Sequence, residues 1–184
     1  GGSVLADRRG GIGGGSVAGL GAASTGGSGW AGRRGGFGGG IAVWSLSEPE
    51  GARTWWPCKD RPDDKATVEE WWTVNSDWIG TGNGKLIATV RKGGRKTQYQ
   101  WSATRPMTTY LVSIAGADYA TFSHTYTALD GVTTMPVEYH VYPEDLADAQ
   151  VSFTPTVPMI EYYAQTFGEY PFLDTKYGIV EGSF

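Results

Sequence analysis

The sequence predicts a mainly β protein of antiparallel strands, preceded by a disordered glycine-rich arm and followed by a C-terminal helix. Three observations carry that expectation. Of the 29 glycines in 184 residues, 18 fall within residues 1–40, so apolar content is concentrated in the rest of the chain. Short β-prone runs then recur from Ile41 to Tyr142, punctuated by Gly-Gly and Asp-Gly turn signals. Residues 156–167 instead show a 3.6-residue apolar period.

Taken in order, residues 1–40 carry Arg-Arg-Gly-Gly at 8–11 and again at 33–36, with too few large apolar side chains to offset chain entropy. They are expected to be disordered. Ile-Ala-Val-Trp-Ser-Leu from Ile41 is a short strand, followed by a loop around Pro49, Gly51, Pro57 and Pro62. Ala66 to Val74 and Lys85 to Val90 are further strands. Arg91 to Lys96 turns on Gly93 and Gly94, and Thr97 to Ser102 places Tyr99 and Trp101 on one face as a hairpin partner. Met107 to Ala115 reads as a buried strand. Asp118 to Thr127 and Met135 to Tyr142 flank Asp130-Gly131 as a second hairpin.

After Tyr142 the texture changes. Pro143 to Gln150 suits a short helix, and Thr156 to Phe167 a longer one, with Val157, Ile160, Tyr163, Ala164 and Phe167 at helical spacing and Gly168 as the stop. Tyr170-Pro171-Phe172 breaks it, and Lys176 to Val180 opens a new strand. The expected organisation is an arm (1–40), a β-domain (41–150) and the start of another domain (151–184).

Charge divides at the same place. The arm holds four Arg against one Asp, whereas residues 41–184 hold 11 basic and 18 acidic residues, within a net charge of −4. An acidic globular part argues against a nucleic-acid groove there. No apolar run approaches the roughly 18–20 residues of a membrane span. The lone Cys58 can form neither an intrachain disulfide nor a thiolate zinc site by itself. The chain begins with Gly and has no charged-then-apolar leader, so it is read as an internal fragment.

Three motifs lie in one consistent order. Gly-Ala-Arg-Thr-Trp-Trp-Pro-Cys-Lys-Asp-Arg-Pro (51–62) resembles an Ala-Arg, Pro-Cys and Asp-x-Pro loop; Arg-Pro-Met-Thr-Thr-Tyr-Leu-Val-Ser-Ile-Ala (105–115) resembles a Pro-Met-x-Thr-Tyr-Leu strand; and Met-Ile-Glu-Tyr-Tyr-Ala-Gln-Thr-Phe-Gly-Glu-Tyr-Pro-Phe (159–172) is similar to a helix ending in Phe-Gly-x-Tyr-Pro. All three resemble the aminopeptidase N family of zinc metallopeptidases. The resemblance implies that the β-domain is an antiparallel β-sandwich with a saddle-like sheet, incomplete here, and that residues 151–184 open a thermolysin-like catalytic domain. It also implies a parent enzyme that uses zinc, with a secreted or periplasmic location favoured.

Zinc hydrolysis needs two His one helical turn apart, an adjacent Glu and a third protein ligand. The only histidines, His124 and His140, are 16 residues apart on expected strands, and no His-Glu-x-x-His occurs. The chain is therefore expected to bind no metal and to be inactive alone. The substrate-binding Gly-x-Met-Glu-Asn type segment of the family would follow Phe184.

The resemblance does supply one substrate-binding residue. Counting back from Asp60-Arg61-Pro62, Glu48 falls where the family places a Glu or Gln that accepts a hydrogen bond from the free α-ammonium of the peptide. By spacing alone Glu48 is a solvated loop acid. Arg53 and Asp60 are expected to pair within the loop, Cys58 to act as a small buried hydrophobe, and both histidines to make ordinary strand hydrogen bonds. The expected partners are thus a peptide amino terminus and the missing catalytic domain, with no nucleic acid and no membrane span. Two other readings stand beside this one: a β-sandwich module that binds carbohydrate or peptide through its eight tryptophans, and an Arg/Gly-rich arm (32–40) that binds RNA.

Overall fold

The computed structural model describes the backbone of residues 3–6 and 30–33, and residues 40–48, 50–59 and 61–182 with their side chains. In chain order the strands are β1 (Ser3–Ala6), β2 (Trp30–Arg33), β3 (Ile41–Trp44), β4 (Ala66–Asn75), β5 (Ile79–Thr81), β6 (Lys85–Lys92), β7 (Lys96–Met107), β8 (Ala115–Ala117), β9 (Ala120–Thr127), β10 (Thr134–Val141) and β11 (Tyr177–Glu181). Helices α1 (Leu146–Ser152) and α2 (Thr156–Phe167) lie between the last two. The mainly β class and the C-terminal helix agree with the expectation from sequence. By its contacts the chain divides into two units, Asp7–Asp118 with Gly182–Phe184, and Gly1–Ala6 with Tyr119–Glu181.

The unit of residues 7–118 contains two sheets, ordered β2-β3-β8-β5 and β4-β7-β6, all antiparallel. Alternation makes them pack. Trp72 and Tyr99 are cross-strand partners, and both rings reach the opposite sheet at its thinnest point, where Gly80 pairs with Gly116. A β-carbon on Gly116 would lie 2.7 Å from the Trp72 ring, and one on Gly80 2.8 Å from Tyr99. Only glycine lets the indole approach this closely. The Trp101 indole donates to the Gly80 carbonyl at 3.1 Å and the Tyr99 hydroxyl to the Trp78 carbonyl at 3.0 Å, so the aromatic layer is also hydrogen-bonded across the sheets. Beside it, buried Ala103, Met107 and Val112 pack with Trp55, Trp56 and Val68.

The strand expected over Met107 to Ala115 is a correction. After Met107 the chain makes a 3₁₀ turn at Thr109–Leu111 before re-entering a sheet as β8. Asn83 supplies the reason, because its amide donates to the Leu111 carbonyl at 3.1 Å and its carbonyl accepts from the Ser113 N–H at 2.7 Å. A side chain thus satisfies backbone groups that a strand would have paired with a neighbour.

A second correction concerns the arm. Ser3–Ala6 pairs in parallel with β11 and Trp30–Arg33 antiparallel with β3, so these two stretches are strands. Pairing onto a sheet edge is satisfied by backbone groups alone and needs no apolar side chains. The remainder of the expected disordered arm lies outside the described residues, and so does most of the 32–40 segment read as RNA-binding.

In the unit of Tyr119–Glu181, β9 and β10 form the Asp130-Gly131 hairpin. Asp130 accepts hydrogen bonds from the Thr133 hydroxyl, which lowers its pKa most, and from the N–H groups of Val132 and Thr133, which lower it further, while Gly131 takes a φ of 71°. The chain returns through α1 and α2, and β11 lies parallel to β10, as a strand reached by a helical crossover can. This sheet crosses the boundary at residue 150. Its core face carries Tyr126, Met135, Val137, Tyr139 and Ile179 against Ile160 and Ala164 of α2. Thr156, Ile160 and Ala164, spaced four apart, are the buried stripe of that helix, with Ile160, its one large apolar side chain, worth roughly 1.5–3 kcal/mol. Gly168 ends it with a φ of 100° and an N–H donated to the Ala164 carbonyl.

Candidate functional site

Glu48 sits in the turn that leaves β3, and its position follows from how that turn is fastened. Ala42 and Trp44 alternate inward along β3 and are buried, which fixes the strand. Ser45 continues the anchoring: its N–H donates to the Ile114 carbonyl and its hydroxyl accepts from the Ile114 N–H, both at 3.0 Å. Ser47, also buried, accepts at two atoms. Its carbonyl takes the Gly51 N–H at 2.8 Å, closing a five-residue turn, and its hydroxyl takes the Trp55 indole N–H at 2.8 Å. Glu48 and Glu50 project from this turn as exposed residues.

Beyond the turn, Ala52 is fully buried and opens a 3₁₀ turn at Ala52–Thr54. The Thr54 N–H and hydroxyl both donate to the Gly51 carbonyl, and the N–H groups of Trp55 and Trp56 donate to that of Ala52. Farther along, Lys59 pairs with Asp64 at 3.1 Å and Arg61 with Asp63 at 2.7 Å, both exposed. The Arg61 guanidinium holds the Asp63 carboxyl below its ordinary range. The expected Arg53–Asp60 pair lies outside the described residues at Asp60, and Cys58 is half-buried.

The histidines lie elsewhere. His124 Nδ1 is 3.1 Å from the Tyr139 hydroxyl, and buried His140 has Nε2 3.7 Å from Glu138. His140 and then Lys176 hold the Glu138 carboxyl below its ordinary range, against the effect of burial. In the hairpin register His124 is paired with Val137 and His140 with Thr121, so the two rings are not brought together. Among the described residues no group of three or more His, Cys, Asp or Glu side chains converges. Zinc requires at least three protein ligands, and the donors brought together among the described residues do not supply such a set.

Two features carried no signal in the sequence. The Ser47–Trp55 bond joins residues eight apart across an irregular turn, and no periodicity marks it. The second is an apolar cavity of about 610 Å³ on α2, lined by Phe153, Met159, Tyr163, Phe167, Tyr170 and Tyr177 among others. Val157, Ile160 and Ala164 of the expected apolar set pack inward, but Tyr163 and Phe167 are 60% and 77% exposed on this second stripe. Among the described residues no helix is long and apolar enough to cross a membrane.

Comparison with known proteins gives a consistent set of likenesses. Residues 36–111 match the family model of the Peptidase M1 N-terminal domain. The fold is similar to that of aminopeptidase A from Legionella pneumophila in complex with aspartic acid, with a TM-score of 0.68 and 21% identity over 77% of this chain and 16% of that one. It is also similar to a mutant M1 zinc metallopeptidase from Deinococcus radiodurans bound to a Tyr-Ser-Ala substrate, with a TM-score of 0.66 and 24% identity over 76% of this chain and 31% of that one. The chain therefore spans less than a third of the length of either. No curated protein sequence matches.

Proposed function

We propose that this chain, whose residues 36–111 match the Peptidase M1 N-terminal domain, walls the substrate cleft of a zinc aminopeptidase and holds the free amino terminus of the peptide through Glu48. The observation that carries the reading is the position of Glu48. It is exposed on a turn whose preceding residue is buried and bonded at two atoms, so a carboxylate is presented from a fixed backbone. An exopeptidase must separate a charged α-ammonium from an uncharged internal amide, and a carboxylate accepts a charge-assisted hydrogen bond from the first alone.

Hydrolysis belongs to the rest of the parent enzyme, where zinc would activate water and polarise the scissile carbonyl. The part played by this chain is binding and orientation. On this reading residues 151–184, which share the sheet of β9 and β10 through β11, belong to the opening of that catalytic domain, and the exposed stripe of Met159, Tyr162, Tyr163 and Phe167 is the face on which more of it packs.

Titration of the chain with trialanine and with N-acetyl-trialanine tests the reading. Because Glu48 is exposed, the free amine is expected to bind only about two- to fivefold more tightly. The Glu48→Gln variant should bind both peptides equally. A preference that survives in Glu48→Gln would place the amine elsewhere.

A further inference from the structure

We infer that Trp55 is a positioning residue for the amino-terminus site, acting on Glu48 through the hydroxyl of Ser47. The inference rests on the assignment of Glu48 above and adds to it a device that sets the direction of the carboxylate. Ser47 immediately precedes Glu48. Its side chain has one hydroxyl, which accepts the Trp55 indole N–H at 2.8 Å. Its carbonyl is held at the same time by Gly51, also at 2.8 Å. The rotamer of Ser47 and the direction of its carbonyl are thus both fixed, and the carbonyl sets the plane of the peptide that leads into Glu48.

Trp55 is in turn anchored. Its N–H bonds to the Ala52 carbonyl within the 3₁₀ turn, and its ring packs with Trp56, 6.2 Å between centroids, against the Ala103, Met107 and Val112 cluster. The indole therefore ties an exposed turn to a buried core. A phenyl ring at position 55 keeps the packing and lacks the donor. This separates a hydrogen bond from a merely apolar role.

The same peptide titration tests the inference on Trp55→Phe, Ser47→Ala, their double variant and Ser47→Thr. The preference for trialanine over its acetylated form should fall from the wild-type value toward one in Trp55→Phe and in Ser47→Ala. The double variant should be no worse than either single one, because the two substitutions remove one bond. Ser47→Thr keeps the acceptor and should keep the preference. An NMR readout independent of the ligand is exchange of the Trp55 indole proton, expected to be about fivefold faster in Ser47→Ala than in wild type and unchanged in Ser47→Thr.

A full wild-type preference in folded Trp55→Phe, or losses that multiply in the double variant, would overturn the inference while leaving Glu48 in place. Should Trp55→Phe fail to fold, a full preference in Ser47→Ala overturns it equally. If wild type itself does not distinguish the two peptides, the assignment of Glu48 fails and this inference falls with it.

Discussion

Glu169 shows how much a single side chain decides in this molecule. It follows the glycine that ends α2, and its carboxylate accepts from the Tyr126 hydroxyl at 2.8 Å, the Leu129 N–H at 2.6 Å and the Tyr170 N–H at 2.7 Å. The helix end is thereby fastened to the β9–β10 hairpin. Burial alone would raise the pKa of this carboxyl, but the three donors win and hold it below the ordinary range. Burial and the neighbouring carboxylate push the Tyr126 hydroxyl up to about 12. A carboxyl with a lowered folded pKa adds stability above its unfolded pKa of roughly 4.3 and loses it as the pH falls through the folded value. Glu169→Gln should therefore cost about 1 kcal/mol at neutral pH, after discounting for partial exposure. In urea denaturation the gap from wild type should close below roughly pH 4; a gap of the same size at pH 3 would rule out the carboxylate charge. Glu48 was legible only as a candidate, because a family spacing from Asp60-Arg61-Pro62 points to it. Glu169 and Ser47 were not, because their partners are set by where distant or irregular backbone arrives.

Elements were legible where periodicity or turn chemistry is strong. The Gly93-Gly94 and Asp130-Gly131 turns, the long strands around them and the helix Thr156–Phe167 all occur within a few residues of where the pattern puts them. β5 is three residues long and too short to show a period, and the 3₁₀ turn at Thr109–Leu111 depends on Asn83, which lies 28 residues before Leu111. The close fit of Trp72 over Gly80 and Gly116 belongs to the same class, since glycines in short strands look like loop in sequence. It gives a sharp expectation. Gly116→Ala places a methyl 2.7 Å from the indole and should cost roughly 1–3 kcal/mol through displacement of that ring. A denaturation midpoint equal to wild type would show that the two sheets yield freely at this point.

At the scale of the whole molecule, the mainly β class and the terminal helix follow from composition and period, and the family likeness from three short motifs in order. The strand pairing of Ser3–Ala6 and Trp30–Arg33 could not be read this way, because edge strands are paired by backbone and leave no mark on side-chain pattern, and the parallel placement of β11 is set by the helical crossover that brings it beside β10. The proposed division of labour, anchoring here and hydrolysis elsewhere, predicts the behaviour of the chain with added zinc. It should release no p-nitroaniline from alanine p-nitroanilide above the uncatalysed rate; turnover that survives repurification and stops with chelator would contradict that division.

The proposed ammonium contact can be tested most directly at the side-chain carboxyl carbon of Glu48, observed by NMR in chain labelled with ¹³C-glutamate. Saturable movement of that one resonance with trialanine, and no movement with the acetylated peptide, is the predicted result. A Glu48 signal that stays still, or moves equally with both peptides, would contradict the account.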